Sequence, residues 1–93
     1  MEQPESKRVQ ITDQSIQIAV RRLVNKLAER LAEKGSRTFS STHEALGIIT
    51  EEYHELVEAQ RTNVRADFMH EIEDIAVGCL FTMACDMQNA LEW

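Results

Sequence analysis

Apolar residues recur at intervals of three or four in three successive stretches of the chain, a spacing typical of helices that bury one face. The first stretch consists of Ile16, Val20, Leu23, Leu27 and Leu31. It predicts a helix that begins at Thr12 or Asp13 and ends at Gly35. One proline and three glycines leave few interruptions elsewhere. The pattern therefore predicts an all-α protein.

Two further helices are predicted in the second half of the chain. Ser41 and Glu44 have the spacing of a capping box, so the second helix should run from about residue 42 to 61. The apolar pattern breaks near Asn63, resumes at Phe68 and continues to about Ala90. We therefore expect a third helix that follows the second after a short turn.

The third helix needs cover on more than one side. Within residues 75–85 only Thr82 is polar, so this part of the helix is apolar nearly all round. We expect a three-helix up-down bundle, residues 13–91 after a tail of residues 1–12, that is completed by homo-oligomerisation as a dimer or tetramer. Cys79 and Cys85 are predicted to be buried, reduced thiols.

Composition excludes several classes of function. The formal net charge is −6, which argues against general binding to nucleic acid. The longest apolar run is about half of the roughly 20 residues that a membrane span needs. Residues 1–10 are too polar for a signal peptide or membrane anchor, so we predict a cytoplasmic protein. Residues 1–40 carry +3 and residues 41–93 carry −9, which indicates either surface salt bridges or an acidic site facing basic residues that receive an anion.

Two pairs of acidic residues have a spacing that points to chemistry. Glu52 and Glu55 lie three apart on the second helix, and Glu71 and Asp74 lie three apart on the third, so each pair shares one face of its helix. The two pairs are placed symmetrically about Asn63. In an antiparallel hairpin they would lie level and face each other.

Four carboxylates at such a point would repel one another strongly. Two like charges 4 Å apart cost about 4 kcal/mol at an effective dielectric constant of 20, and small domains are stable by only about 5–15 kcal/mol. A cation or protons must therefore compensate. Oxygen ligands alone favour Mg²⁺ or Mn²⁺, and Mg²⁺ typically shares substrate phosphates, so we expect phosphate transfer or hydrolysis by a metal-activated water.

The two acidic segments also resemble a known family. EEYHEL (residues 51–56) and EIEDIA (residues 71–76), with the preceding HEALGIIT (residues 43–50), resemble the paired ExxE and ExxD helices of the MazG-like, all-α nucleoside triphosphate pyrophosphohydrolases. This resemblance implies hydrolysis between the α and β phosphates of a nucleoside triphosphate. It implies that Mg²⁺ is held by Glu52, Glu55, Glu71 and Asp74, with Glu52 binding a second ion or acting as the general base.

The resemblance also implies that basic groups bind the substrate phosphates. Many members supply them from a further helix after ExxD, where this chain offers only Gln88 and Asn89. Basic residues on the first helix, in the following loop or in a second subunit are the alternatives. Lys34, Arg37 and Lys26 are the first candidates, ahead of the arginines of the first helix.

Two other interpretations compete with this one. Glu51 and His54 on one helix, and Asp67 and His70 on the next, have the spacing of a ferritin-like di-iron site, but the first pair should face away from the apolar stripe. We expect these histidines to be surface residues. The alternative function is a non-catalytic helical oligomer, a regulatory or interaction module with a vestigial acidic metal site.

Overall fold

The computed structural model describes residues 8–93, which form three α-helices and no strand. The helices are α1 (Asp13–Lys34), α2 (Thr42–Thr62) and α3 (Arg65–Met87). The predicted all-α class with three helices is thus confirmed. Of the predicted N-terminal tail, residues 1–7 lie outside the described residues.

The ends of α1 follow from two local signals. The Thr12 hydroxyl accepts a hydrogen bond from the Ser15 backbone N–H at 3.1 Å, which satisfies one of the free donors at the start of the helix. At the other end Gly35 has φ 87°, a conformation that favours glycine, and its N–H donates to the Leu31 carbonyl at 2.9 Å. Both ends agree with the predicted bounds.

The capping box at the start of α2 is present in a shifted form. The Ser41 hydroxyl accepts from the Glu44 N–H at 3.1 Å, as predicted. The Glu44 carboxylate, however, accepts from the Ser40 N–H at 2.8 Å instead of from Ser41. The cap therefore fixes one more residue of the preceding loop.

α3 is shorter at its C-terminus than the sequence predicts. It ends at Met87, about three residues early, because Asn89 adopts φ 56° and turns the chain. Glu92 then pairs with the segment before α2: its N–H donates to the Ser40 carbonyl at 2.9 Å and its carbonyl accepts from Thr42 at 2.8 Å. This pairing ties the C-terminal segment to the start of α2.

α3 lies between the other two helices. It contacts both α1 and α2, whereas the Cα atoms of α1 and α2 do not come within 8 Å of each other. Asn63, with φ 60°, caps α2 two residues before α3 begins, so these helices form a tight hairpin. The space between α1 and α2, with α3 at its base, is an open groove.

No helix among residues 8–93 combines the length and the apolarity that crossing a membrane requires.

Much of the predicted apolar surface is uncovered in the single chain. Ile16 and Val20 on α1 are 44% and 53% exposed, and on α3 Met83 is 64% exposed. Cys85 is buried as predicted, but Cys79 is exposed and that prediction is wrong, because neither α1 nor α2 covers its side of α3. Few apolar residues of the described chain are buried, namely Ala45, Ala59, Val77 and Cys85.

Candidate metal centre

The four predicted metal ligands lie where α2 faces α3, with Glu52 and Glu55 on α2 and Glu71 and Asp74 on α3. Among the described residues, the group close enough to share one ion consists of Glu71, Asp74 and His70, and it includes neither Glu52 nor Glu55. Burial raises the pKa of Glu52, and the charges of the other three carboxylates raise it further. Asn63 forms the cap of α2, which is why two pairs placed symmetrically about it meet.

Glu71 is the least satisfied member of this acidic cluster. Its Oε2 is buried and has no hydrogen-bond partner among the described residues. Burial raises the pKa of Glu71, and the charges of Asp74 and Glu55 raise it further, whereas His70 opposes them. A buried acceptor oxygen without a donor is rare and is stabilised by a cation or a proton.

Glu52 reaches the cluster because α3 has no side chain at Gly78. A Cβ built on Gly78 would lie 3.1 Å from the Glu52 Oε1 and 3.9 Å from the Ile49 Cγ1. The glycine thus makes room for this carboxylate. Burial is the main cause of the raised pKa of Glu52, and Arg30 partly offsets it.

Asp74 differs from its neighbours because it is surrounded by cations. Its side chain is 10% exposed, and its Oδ1 accepts from the Arg30 guanidinium and lies 3.1 Å from the Lys26 Nζ. Its Oδ2 lies 3.4 Å from the His70 Nε2. Asp74 is therefore compensated by α1, whereas Glu71 has no such partner.

His70 is exposed, as predicted, with 62% of its side chain accessible. It nevertheless lies beside two acids, since one ligand atom each of His70, Glu71 and Asp74 lies within 4.8 Å of the others. This closeness follows from the sequence, because His70 and Asp74 are four residues apart and share a face of α3. The rest of the di-iron pattern does not assemble there, since His54 and Asp67 are exposed and stand outside this group.

A row of basic residues on α1 faces the acidic part of α3. Arg22 donates to the Glu73 carboxylate at 2.7 Å, and Lys26 lies 3.9 Å from the same residue as well as close to Asp74. Basic residues at intervals of four on α1 thus meet adjacent acids on α3. The basic first half and the acidic second half of the chain therefore meet at the interface between α1 and α3.

The groove between α1 and α2 has a volume of about 610 Å³. Charged residues of both signs line it: the acids Glu33, Glu51, Glu52, Glu55 and Asp74, and the bases Arg30, Lys34 and Arg37. Phe39 and Phe81 line its apolar part, with ring centroids 4.9 Å apart in an edge-to-face arrangement.

Two of the three predicted phosphate-binding residues, Lys34 and Arg37, line this groove. The third, Lys26, is held between Asp74 and Glu73 and does not line it. Arg30, which sequence reasoning ranked lower, does line it. The missed signal is that Arg30 lies one helical turn after Lys26 and one before Lys34, on the same face of α1.

The residues present fit a hard divalent cation. Carboxylate oxygens dominate the cluster, one of them is buried without a partner, and a groove of ligand size adjoins it. No protein-family model, curated protein or solved structure matches this chain.

Proposed function

We propose that this protein is a Mg²⁺-dependent nucleoside triphosphate pyrophosphohydrolase of the MazG-like kind, which converts a nucleoside triphosphate to its monophosphate and pyrophosphate. The buried, unpartnered Oε2 of Glu71 carries the proposal. A divalent cation bound beside that oxygen would stabilise it and would reduce the repulsion among the carboxylates. Mn²⁺ suits the same ligands. The resemblance of the acidic segments to the ExxE and ExxD helices supports the choice of reaction.

Each carboxylate has a distinct role in this proposal. Glu55, Glu71 and Asp74 hold the metal, which when bound supplies charge for the phosphates and lowers the pKa of a water. Glu52 contributes a further ligand or takes the proton from the attacking water. Its raised pKa suits a general base, because a carboxylate with a raised pKa accepts a proton more readily.

The basic side of the groove receives the phosphates. Lys34 and Arg37 line the same groove as Glu52, Glu55 and Asp74, so a triphosphate lying in it would be within reach of both the carboxylates and these cations. Lys26 reaches the phosphates only if it leaves Asp74. The Phe39 and Phe81 rings offer an apolar surface in the same groove.

We also propose that the chain works as a homodimer or homotetramer. The accessible surface is 7848 Å², against about 5,500 Å² expected for a folded monomer of 10.7 kDa. Even if residues 1–7 are granted the surface of an extended chain, about 1,200 Å², an excess of about 1,100 Å² remains. A standard interface buries about 800 Å² per partner, so the excess surface is enough for a stable interface.

We also propose that the protein is cytoplasmic, because its free thiols suit a reducing compartment.

Pyrophosphate release tests the proposal. The purified protein is incubated with a panel of nucleoside triphosphates with and without Mg²⁺, and phosphate is measured after inorganic pyrophosphatase is added. We expect metal-dependent release from at least one nucleotide. The rate of pyrophosphate release by the Glu55→Gln variant should be at least about 100-fold lower than that of the wild type.

Glu58→Gln is the matched control. Glu58 lies on the same helix, three residues from Glu55, and its side chain is 71% exposed and paired with Arg61. We expect its activity to equal that of the wild type. Equal activities of the Glu55→Gln and Glu58→Gln variants would contradict the assignment of Glu55 as a ligand.

A non-catalytic regulatory module is the second candidate. The observation in its favour is that α1 already compensates Asp74 and Glu73 with its own cations, as a structural interface would. For this candidate we expect Mg²⁺ to raise the melting temperature while no nucleotide in the panel is hydrolysed.

A further inference from the structure

The compensation of Asp74 by α1 is concentrated on one atom. Lys26 and Arg30 lie one helical turn apart, and both contact the same oxygen, Oδ1. Their side chains are 16% and 31% exposed, so both are partly withdrawn from water. This arrangement places two positive charges on one oxygen of Asp74, next to any divalent cation that this carboxylate binds.

Within residues 8–93, the other carboxylates of the cluster have no such direct contacts with cations. Glu71 keeps a buried oxygen without a partner, and Glu52 lies in the crevice at Gly78. In this cluster the charge of Asp74 is thus balanced by two cations, whereas the charges of its neighbours are not balanced by a direct ion pair. A bound cation would satisfy the neighbours but would meet Lys26 and Arg30 at Asp74.

We infer that Lys26 and Arg30 form an exchangeable counter-ion for Asp74: they hold this carboxylate in the metal-free protein and yield it when a divalent cation binds. This inference rests on the proposed function, because it requires the cluster to bind a metal. Lys26 is a positioning residue in this scheme. It retains a second acid, Glu73, at 3.9 Å after it yields Asp74.

Arg30 would contact a different group after it leaves Asp74. It lines the groove, so once Asp74 is released its guanidinium can bind a phosphate there. A nucleotide that draws Arg30 away from Asp74 makes room for the metal, and the metal in turn frees Arg30 for the nucleotide. By linkage each ligand then strengthens binding of the other.

Isothermal titration of the metal-free protein with Mn²⁺ tests the inference. A unit charge about 6 Å from a divalent cation weakens its binding about tenfold even at the dielectric constant of water. We therefore expect Lys26→Gln and Arg30→Gln to bind Mn²⁺ about tenfold more tightly than the wild type. The melting temperature of metal-free Lys26→Gln should fall, and its rise on saturation with Mn²⁺ should exceed that of the wild type. A merely structural role would not strengthen metal binding.

Arg22→Gln is the matched control. It removes the same charge from the same helix, but Arg22 pairs with Glu73 and its side chain is 66% exposed. Its Mn²⁺ affinity should stay within about twofold of the wild type, since exposed charges are screened. Equal tightening in Arg22→Gln and Lys26→Gln would overturn the inference, because net charge alone would then explain the effect.

The Glu71→Gln variant separates this inference from the proposed function. If the wild type binds Mn²⁺, Glu71→Gln does not, and Lys26→Gln binds no more tightly, the counter-ion exchange is wrong while the metal centre stands. If neither the wild type nor Lys26→Gln binds Mn²⁺, both proposals are overturned.

Discussion

Two substitutions in the acidic cluster should change the stability of the metal-free protein in opposite directions. Asp74→Asn removes the charge that holds Lys26 and Arg30. A hydrogen bond to a charged group contributes about 1.5–3 kcal/mol, and Asn keeps one acceptor oxygen. We therefore expect the free energy of unfolding to fall by about 2–3 kcal/mol. For a domain of this size the melting temperature should drop by about 10–20 °C.

Glu71→Gln should instead stabilise the metal-free protein. The substitution removes a charge that is disfavoured by burial and by the nearby Asp74 and Glu55 carboxylates. The amide also offers an N–H donor to the remaining acids. The sign of the effect is therefore opposite to that of Asp74→Asn, although the two residues lie one turn apart on α3.

Guanidinium denaturation followed by circular dichroism, in EDTA and at several protein concentrations, measures both effects. Equal m-values would show that the variants differ in stability and not in the surface exposed on unfolding. If Asp74→Asn were as stable as the wild type, the ion pairs with α1 would contribute nothing. If Glu71→Gln were destabilised, its buried oxygen would have a donor that the structure does not show.

Three further predictions concern pH, the glycine and assembly. The folded-state pKa of Glu71 lies above its ordinary value of 4.5, so the metal-free protein should lose stability as pH rises from 4.5 through the raised pKa. Melting curves should show a smaller loss of stability in Glu71→Gln than in the wild type. Equal losses would contradict the raised pKa. Gly78→Val should displace the Glu52 carboxylate and lower pyrophosphate release at least about tenfold, and unchanged release would show that Glu52 has room elsewhere. Sedimentation equilibrium should detect a dimer or tetramer. The Val20→Glu substitution, on the uncovered face of α1, should weaken this assembly by introducing like charges. A monomeric wild type would refute the assembly.

Local signals predicted the helices well because they depend on residues close in sequence. The Thr12 cap, the Ser41 cap and the turn at Asn63 each act within a few positions, so α1 and α2 begin where the sequence indicates. The symmetry of the acidic pairs about Asn63 likewise needs only helical geometry and a tight hairpin. α3 ends early because Asn89 turns the chain, and the hydrogen bond from Glu92 to Ser40 then ties the following segment to a residue far away in the sequence.

The contribution of α1 could not be predicted in the same way. Periodicity gives the apolar face of a helix but not its rotation and offset against a neighbour. The contact of Arg30 with Asp74, the withdrawal of Lys26 from the groove and the exposure of Val20 all depend on that docking. The place of His70 does not depend on docking, because it is exposed as predicted and both acids beside it, Glu71 and Asp74, lie on its own helix.

Anomalous diffraction from crystals grown with Mn²⁺ would locate the ion and show which residues hold it. We expect an anomalous peak in direct contact with carboxylate oxygens of Glu55, Glu71 and Asp74, with Lys26 and Arg30 moved off Asp74. Crystals in which Asp74 stays paired with both cations and the peak is absent from the cluster would contradict it.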